Sequence, residues 1–564
     1  MTFSKVKTHL LFWFVLAGFL MPMFFLYAAI ERVSIDSSGG QANSDAVRTS
    51  ISSDGRYVTF SSGATNLVPG DTNATQDIFV YDRQINTIER VSVDDLGNEA
   101  DDASDFPSIS SDGRYVAFFS SATNLVSGDV GGFVDIFVYD RQNDTIERVS
   151  VDDLGNEADA DIINHFTSIS SDGRYVTFSS SATNLVAGDT NGISDIFVYD
   201  RQTDTIERVS VDDLGNEGNN GSGSPSISSD GRYVAFTSIA TNLVSGDTNG
   251  VGDVFVYDRQ INTMERVSVD DLGNEGDAQS ISVGVSSDGR YVIFSSNATN
   301  LVPGDTNGVK DIFVYDRQTD TIERVSVDGL GNEGNAESGR EDLGTVSISS
   351  DGRYAVFLSE ATNLVVGDTN GISDIFVYDR QTDTIERVSV DDLGNEGNNE
   401  SSNPAISSNG TFIMFLSYAS NLISGDTNGV GDVFVFSDNS SPTNIDLSNN
   451  ALDENGTAGE IIGTLSTTDV DLFDTHTYSF ACTVPGADDA SFSISGDDLL
   501  SAASFDYETQ TTYSICIRTT DSFGATFDEN FTINIADVGE SSGSSGSTPP
   551  DRDRGCTSSA ALNY

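Results

Sequence analysis

The sequence predicts an all-β protein whose larger part, residues 30–437, is a seven-bladed β-propeller closed by its own N-terminal strand. Three observations predict this. A segment centred on SSDGRYV recurs seven times, the apolar residue before it falling at Ile51, Ile109, Ile169, Ile227, Val285, Ile348 and Ile406. Each complete copy reads as four short strands, and a period of that length with several strands per repeat is the signature of propeller blades. The seventh copy stops one strand short, and the missing strand stands at the front of the chain.

The first 29 residues differ from the rest. Lys5 and Lys7 precede an unbroken apolar run ending in Ala28 and Ala29, the pattern of a secretory signal peptide; an uncleaved N-terminal anchor is the other reading. Export and an acidic surface go together here. The 564-residue chain has 88 Asp+Glu against 27 Lys+Arg, formally −61, which repels nucleic acid and anionic lipid and attracts cations or basic partners.

Within a copy, PSISS is the first strand, DGR a turn, RYVAFSS the second strand, DIFVYD the third and TIERVSVD the fourth. The copies are spaced by 58, 60, 58, 58, 63 and 58 residues. The third strand is apolar on both faces, for example Ile196 and Val198 against Phe197 and Tyr199, so both faces need cover. Blades stacked around an axis supply it. After the seventh third strand, residues 433–436, no TIERVSVD follows; Ile30-Glu31-Arg32-Val33-Ser34 is its equivalent. Borrowing that strand removes an exposed edge and ties the first blade to the last.

Strands alternate in direction, so the loops joining strands two and three, and those joining blades, share one face. By this sorting six arginines of DGR and six of YDR lie on the opposite face, seven belong to the fourth strand, and the first face carries only Arg48, Lys310 and Arg340. It is expected to be a rim of carboxylates with little counter-charge. Its loops repeat D-T-N-G-x-x-D, setting oxygen side chains around a tight turn: Asp189, Asn191 and Asp195; Asp247, Asn249 and Asp253; Asp305, Asn307 and Asp311; Asp368, Asn370 and Asp374; Asp426, Asn428 and Asp432. Calcium, a hard cation seeking six to eight oxygens, is the candidate cofactor of such loops. Plain turn chemistry, with Asp and Asn side chains bonding nearby backbone, is the other reading. The neighbouring DDLGNE carboxylates, such as Asp212, Asp213 and Glu217, either assist or solvate the rim.

SSDGRYVAF followed by DIFVYD resembles the β-propeller repeats of the TolB-like family, whose pattern is S-P-D-G-x-x-[IV]-A-F and then [DE]-[IL]-[YF]-[VL]-[YM]-[DN]. The resemblance covers residues 30–437 and implies the fold. Serine replaces the family's proline, as at Ser53 and Ser111. The α/β domain that precedes the family's propeller has no counterpart, so the family's role does not transfer.

Residues 438–442 read as a linker. Residues 443–540, with PTNIDLSNNALDENGTAGEIIGTLSTTDVD, FDYE, RTTDSFG and IADVGE in order, resemble a bacterial cadherin-like domain. That resemblance implies a seven-stranded, immunoglobulin-like β-sandwich and calcium ligands at its two ends. Glu454, Asp506, Glu508 and Asp537 match the ligands of one end, and Asp469, Asp471 and Asp521 those of the other. Gly539 replaces the linker asparagine and no second such domain follows, which leaves half-sites; solvated carboxylates are the alternative. Residues 541–564 read as a flexible tail.

Of the three cysteines, Cys482 continues the inward alternation of Tyr478 and Phe480, whereas Cys516, between Ile515 and Ile517, is expected to face outward. A 482–516 disulfide is therefore not the expected pairing, and Cys556 lies in the tail. No nucleophile elbow, CxxC pair or HExxH occurs. Individuality is confined to the loops between blades, where Phe106, His165 and Phe166 stand out. The reading is an exported, non-enzymatic binding or adhesion protein taking a protein or glycan ligand on the propeller face. A hydrolase acting on glycans or peptides at the propeller mouth, and a periplasmic TolB-like scaffold, are the alternatives.

Overall fold

The structure is a computed structural model that describes residues 29–129, 132–340, 344–437, 441–469, 475–521 and 525–539. The apolar N-terminal run to residue 28, Asp471, the tail and Cys556 lie outside the described residues. The chain divides into two compact units at residues 440/441.

In the first unit every copy of the repeat forms a four-stranded antiparallel sheet, and the described residues make seven such sheets. The third sheet is representative: Ile162–Ile169, Tyr175–Ser180, Asp195–Asp200 and Thr205–Arg208 pair in that order. Its third strand is buried along its whole length, as the two-faced apolar pattern requires. Cores form between sheets: Phe119, Ile136 and Val138 of the second sheet share one cluster with Val176, Phe178 and Phe197 of the third. Truncating any of these phenylalanines to Ala costs about 3–5 kcal/mol. The DGR glycine serves this packing. Gly113 has φ +72°, and a Cβ on it would lie 2.0 Å from the Tyr57 ring of the preceding sheet.

The seventh sheet closes the ring as its sequence predicts. Ala29–Arg32 pairs antiparallel with Asp432–Ser437, Ile30 opposite Phe436 and Arg32 opposite Phe434. A second closure encircles the axis. The amide of Ser53 donates to the carbonyl of Ser111, Ser111 to Ser171, Ser171 to Ser229, Ser229 to Ser287, Ser287 to Ser350, Ser350 to Ser408, and Ser408 back to Ser53, all at 3.1–3.3 Å. These are the serines standing at the proline position of the family pattern. Proline has no N–H, so a collar of this kind needs another residue there. Repeated four-stranded sheets, interleaved cores and circular closure are the arrangement of a β-propeller.

The second unit is also all-β, with two four-stranded sheets around a core that includes Ile445, Leu465, Phe492, Ile515, Ile517 and Ile533. Where seven strands were expected, the described residues form eight pieces. The first strand is broken at residues 448–450, so that Asn444–Leu447 joins one sheet and Ala451–Asp453 the other. The cysteine expectation is corrected too: Cys482 and Cys516 form a disulfide. Ile515, Cys516 and Ile517 are all buried, so alternation assigns no wet face there. The segment carrying Cys482 covers the second face of the strand. Among the described residues no helix is long and apolar enough to cross a membrane.

Candidate functional site

The acidic loops of the first unit are built sheet by sheet around an arginine. In the third sheet, Arg208 Nη1 lies 3.5 Å from Asp189, 3.1 Å from Asp195 and 2.9 Å from Glu217. The same triad recurs around Arg90, Arg148, Arg266, Arg324 and Arg387. Arg32, on the closing strand, meets Asp426 and Asp432. The expectation of a rim without counter-charge is therefore corrected. The fourth-strand arginine emerges at the end of its strand, turned into the loops, because the strand stops there at Thr205–Arg208.

Of the residues predicted to ligate metal, the structure brings together the two aspartates of each loop and adds a glutamate from DDLGNE: Asp189, Asp195 and Glu217; Asp247, Asp253 and Glu275; Asp368, Asp374 and Glu396. Asp305 and Asp311 meet Glu333 on Arg324 in the same way. The asparagines serve the backbone instead. Asn191 accepts from the Ile193 amide and donates to the Gly218 carbonyl, and Asn249, Asn307 and Asn370 do likewise at their turns. Asn428 donates to the Ala42 carbonyl and to Asp432.

Each DDLGNE letter has a place. Asp212 accepts from the amides of Leu214 and Asn216 and so holds the turn. Asp213 accepts from the Met264 amide on the outer strand of the next sheet. Glu217 joins the arginine and also accepts from Thr190. The leucine does none of this: Leu96, Leu154, Leu214, Leu272, Leu330 and Leu393 are each at least 80% exposed. Sequence reasoning missed this set of apolar turn tips, although one leucine per repeat was the signal.

Three carboxylates to one guanidinium leave each triad electrically unbalanced. Burial, the dominant cause, pushes the carboxyls of Asp135, Asp195 and Asp374 up to about 6. Asp71 and Asp305 also rise to about 6, first through burial and then through the neighbouring charges of Asp77 and Asp311. Both Asp189 carboxylate oxygens are buried with no hydrogen-bond donor, as is Oδ1 of Asp71, Asp247, Asp305 and Asp368. Apart from Asp189 Oδ1, each of these oxygens faces its arginine Nη1 at 3.5–3.7 Å, so a guanidinium already supplies the cation beside them. The three carboxylates alone fall short of the six oxygens calcium seeks, and the arginine stands among them.

In the second unit, Glu454 accepts from the amides of Tyr507 and Val538, which draws FDYE and the strand end near Asp537 to one place. Glu508 has its carboxyl pushed up despite a bond to its own amide, through desolvation and then the charges of Glu454, Asp537 and Asp506. These four predicted residues therefore do gather. Of the other set, Asp469 pairs with His476 at 3.0 Å and Asp521 accepts from the Ala525 amide.

The least repetitive place in the ring is its axis. The inner strands of six sheets carry a register shift of the bulge type, and at Phe106, Ser224 and Asn403 the residue before a proline has φ of +50° to +53°. A bulge re-aims a side chain, and a bulky residue at positive φ is strained. Asp105 holds the bend by accepting from the Phe106 amide and from Ser61 of the preceding sheet. The Phe106 ring lies 5.1 Å from Phe119 and 6.0 Å from Phe166, with the Arg48 guanidinium 4.6 Å from its centre. Arg48 also donates to Asn403. Together with Thr49, Pro107, Gly344 and Pro404 these line a cleft of about 190 Å³.

No family model and no curated protein matches the chain. Among solved structures it is similar to TolB from Acinetobacter baumannii, at 16% identity over 55% of this chain and 59% of that one, with a TM-score of 0.32. It thus spans about three fifths of that protein. A putative TolB from Agrobacterium tumefaciens gives 16% identity over 55% and 87%, TM-score 0.34. One of two prolyl endopeptidases described together gives 10% over 75% and 54%, TM-score 0.41.

Proposed function

We propose that this is an exported, non-enzymatic binding protein: a seven-bladed, TolB-like propeller joined to a cadherin-like sandwich, taking a glycan or peptide at the axial cleft. One observation carries the reading. Phe106, at φ +51°, puts an aromatic ring beside Arg48, Phe166 and Asn403, where Ser224, Ser282 and Asn403 of other sheets share the backbone angle but bring no ring. Strain of this kind costs of order 1–3 kcal/mol and gathers at functional sites. An aromatic wall with a guanidinium and an amide at its edge suits a flat apolar face bearing hydroxyls or carbonyls, such as a sugar ring or a peptide side chain.

The test is Phe106→Gly. Glycine accepts the backbone angle without strain, so folding survives while the ring is lost. Wild type and variant are compared on oligosaccharide and peptide arrays. Ligands that bind wild type should lose at least about tenfold in affinity with the variant; undiminished binding refutes the site.

Calcium is the cofactor we propose for the second unit, at Glu454, Asp506, Glu508 and Asp537. In the propeller loops Asp189, Asp195 and Glu217, with their equivalents, would hold it beside the arginine. Thermal unfolding with calcium and with chelator tests both, since a metal that binds only the folded state raises its transition. Equal transitions under the two conditions end the proposal.

A further inference from the structure

The turn after each outer strand of the first unit carries a leucine that the fold does not use. Leu96, Leu154, Leu214, Leu272, Leu330 and Leu393 stand at the turn tips, 80–89% exposed. The equivalent turn at the front of the chain reads DSSGGQ and has Ser38 in the leucine's place. It folds the same way. The amides of Ser38 and Gly40 donate to Asp36 Oδ1 at 2.7 and 2.9 Å, as those of Leu96 and Asn98 do to Asp94 at 2.9 and 2.8 Å. Gly39 and Gly97 share the positive φ, +85° and +79°. The leucine is thus neither packed nor required by the backbone. Single exposed apolar residues are ordinary on a surface; one at the same place in six successive turns is a pattern.

The surroundings of the tip have a defined chemistry. Asp95 accepts from the Ile146 amide at 2.9 Å and Asp153 from the Ile206 amide at 2.9 Å, so each turn leans on the outer strand of the next sheet. Behind Leu96 this leaves a groove of about 580 Å³, where Val68, Val93 and Tyr139 give apolar surface and Glu89, Asp95 and Asp144 give carboxylates. Behind Leu154 a groove of about 450 Å³ repeats it with Val126, Tyr199, Asp153 and Asp204. Each groove contains one arginine, Arg90 or Arg148, and each of these is already ringed by three carboxylates of its own loops. An apolar floor, an apolar tip and a negative lip therefore occur together.

We propose that these leucine-tipped grooves on the outer rim dock a cationic segment of a partner protein. An apolar side chain of the segment packs between the leucine and the tyrosine of the next sheet, and its Lys or Arg side chains meet the carboxylates. Charge selects this occupant: the grooves carry carboxylates in excess, and the formal −61 of the chain opposes both a second copy and an anionic lipid surface. Repetition lets one partner engage several grooves, so contacts that are weak singly hold firmly together. The surface lies on outer strands and is independent of the axial cleft.

The probe is a short peptide alternating lysine and leucine, titrated by calorimetry into the full chain at about 0.15 M salt, where long-range charge is screened. Peptides alternating lysine with serine, and glutamate with leucine, are the charge-only and apolar-only controls. The lysine–leucine peptide should bind the unaltered chain at least about tenfold more tightly than either control. That preference should vanish in Leu96→Ser/Leu154→Ser/Leu214→Ser/Leu272→Ser/Leu330→Ser/Leu393→Ser, which keeps every charge and copies the turn at Ser38. Should that protein fail to fold, Leu96→Ser/Leu214→Ser/Leu330→Ser should bind about half as many peptides. Equal binding of the three peptides, or a preference and a peptide number unchanged in the folded variants, overturns the proposal. Leucine-dependent dimerisation in sedimentation, or leucine-dependent binding to phosphatidylcholine vesicles, without the peptide preference also overturns it and assigns the rim to a second copy or to lipid.

Discussion

Acidification from pH 7.5 to 5 should stabilise the first unit. In the third sheet the Asp195 side chain is buried beside Asp189, Glu217 and the single cation Arg208, and its carboxyl titrates at about 6 rather than 3.8. Asp135 and Asp374 are in the same position. A carboxyl raised in the folded state binds its proton there before the unfolded chain does. Between about pH 4 and 6 the folded state therefore holds more protons, and stability falls as pH rises. Down to pH 5 only the upper unit of that window is crossed, worth about 1.4 kcal/mol per group as an upper bound. Coupling to the arginine and solvent screening reduce this to about 0.5 kcal/mol. Three groups then contribute roughly 1.5–4 kcal/mol, and a unit of roughly 400 residues loses about 0.9 kcal/mol per degree near its midpoint, so the transition should rise by about 2–5 °C. Scanning calorimetry at constant ionic strength with chelator present reads it. The Asp135→Asn/Asp195→Asn/Asp374→Asn variant should lose most of the rise. A flat or falling midpoint refutes the reasoning, and a full rise in the variant assigns it to the overall charge of −61 instead. Calcium held by the triads would invert the slope, because protons then compete with metal.

Ser229→Pro removes one amide from the serine collar and should destabilise the first unit by about 1–3 kcal/mol in denaturant titration, whereas Ser229→Ala keeps the amide and stays within about 0.5. Gly329 stands where five other sheets have an aspartate that accepts from the next outer strand, as Asp271 does from Ile322 at 3.0 Å; Gly329→Asp should add about 0.5–1.5 kcal/mol, measured the same way. Reducing the Cys482–Cys516 disulfide, which spans 34 residues, should lower the second unit's transition by about 3–4 kcal/mol in stability and leave the first unit's unchanged. Below pH 4, Asp316, held near 2 chiefly by its hydrogen bond from Arg290, loses the stability it supplies above that pH as it protonates, so the first unit's midpoint should fall again between pH 4 and 2.

What could be read from the letters was what repeats along the chain. The period, the two-faced DIFVYD strand and the fourth strand missing from the seventh copy were enough to pair the segment beginning at Ile30 with residues 433–436, where the structure sets Ile30 opposite Phe436. The rim's charge could not be read in that way. Arg208 belongs to a strand by its neighbours, yet it acts in a loop, because a four-residue strand ends at it and its long side chain reaches Asp189, 19 positions earlier. Alternation failed for the same reason at Cys516, where a covering segment from far along the chain buries the second face. The axial cleft was visible only as the odd residues Phe106 and Phe166. A bulge sets where they point, and its backbone angle is fixed by Asp105 and by contact across sheets.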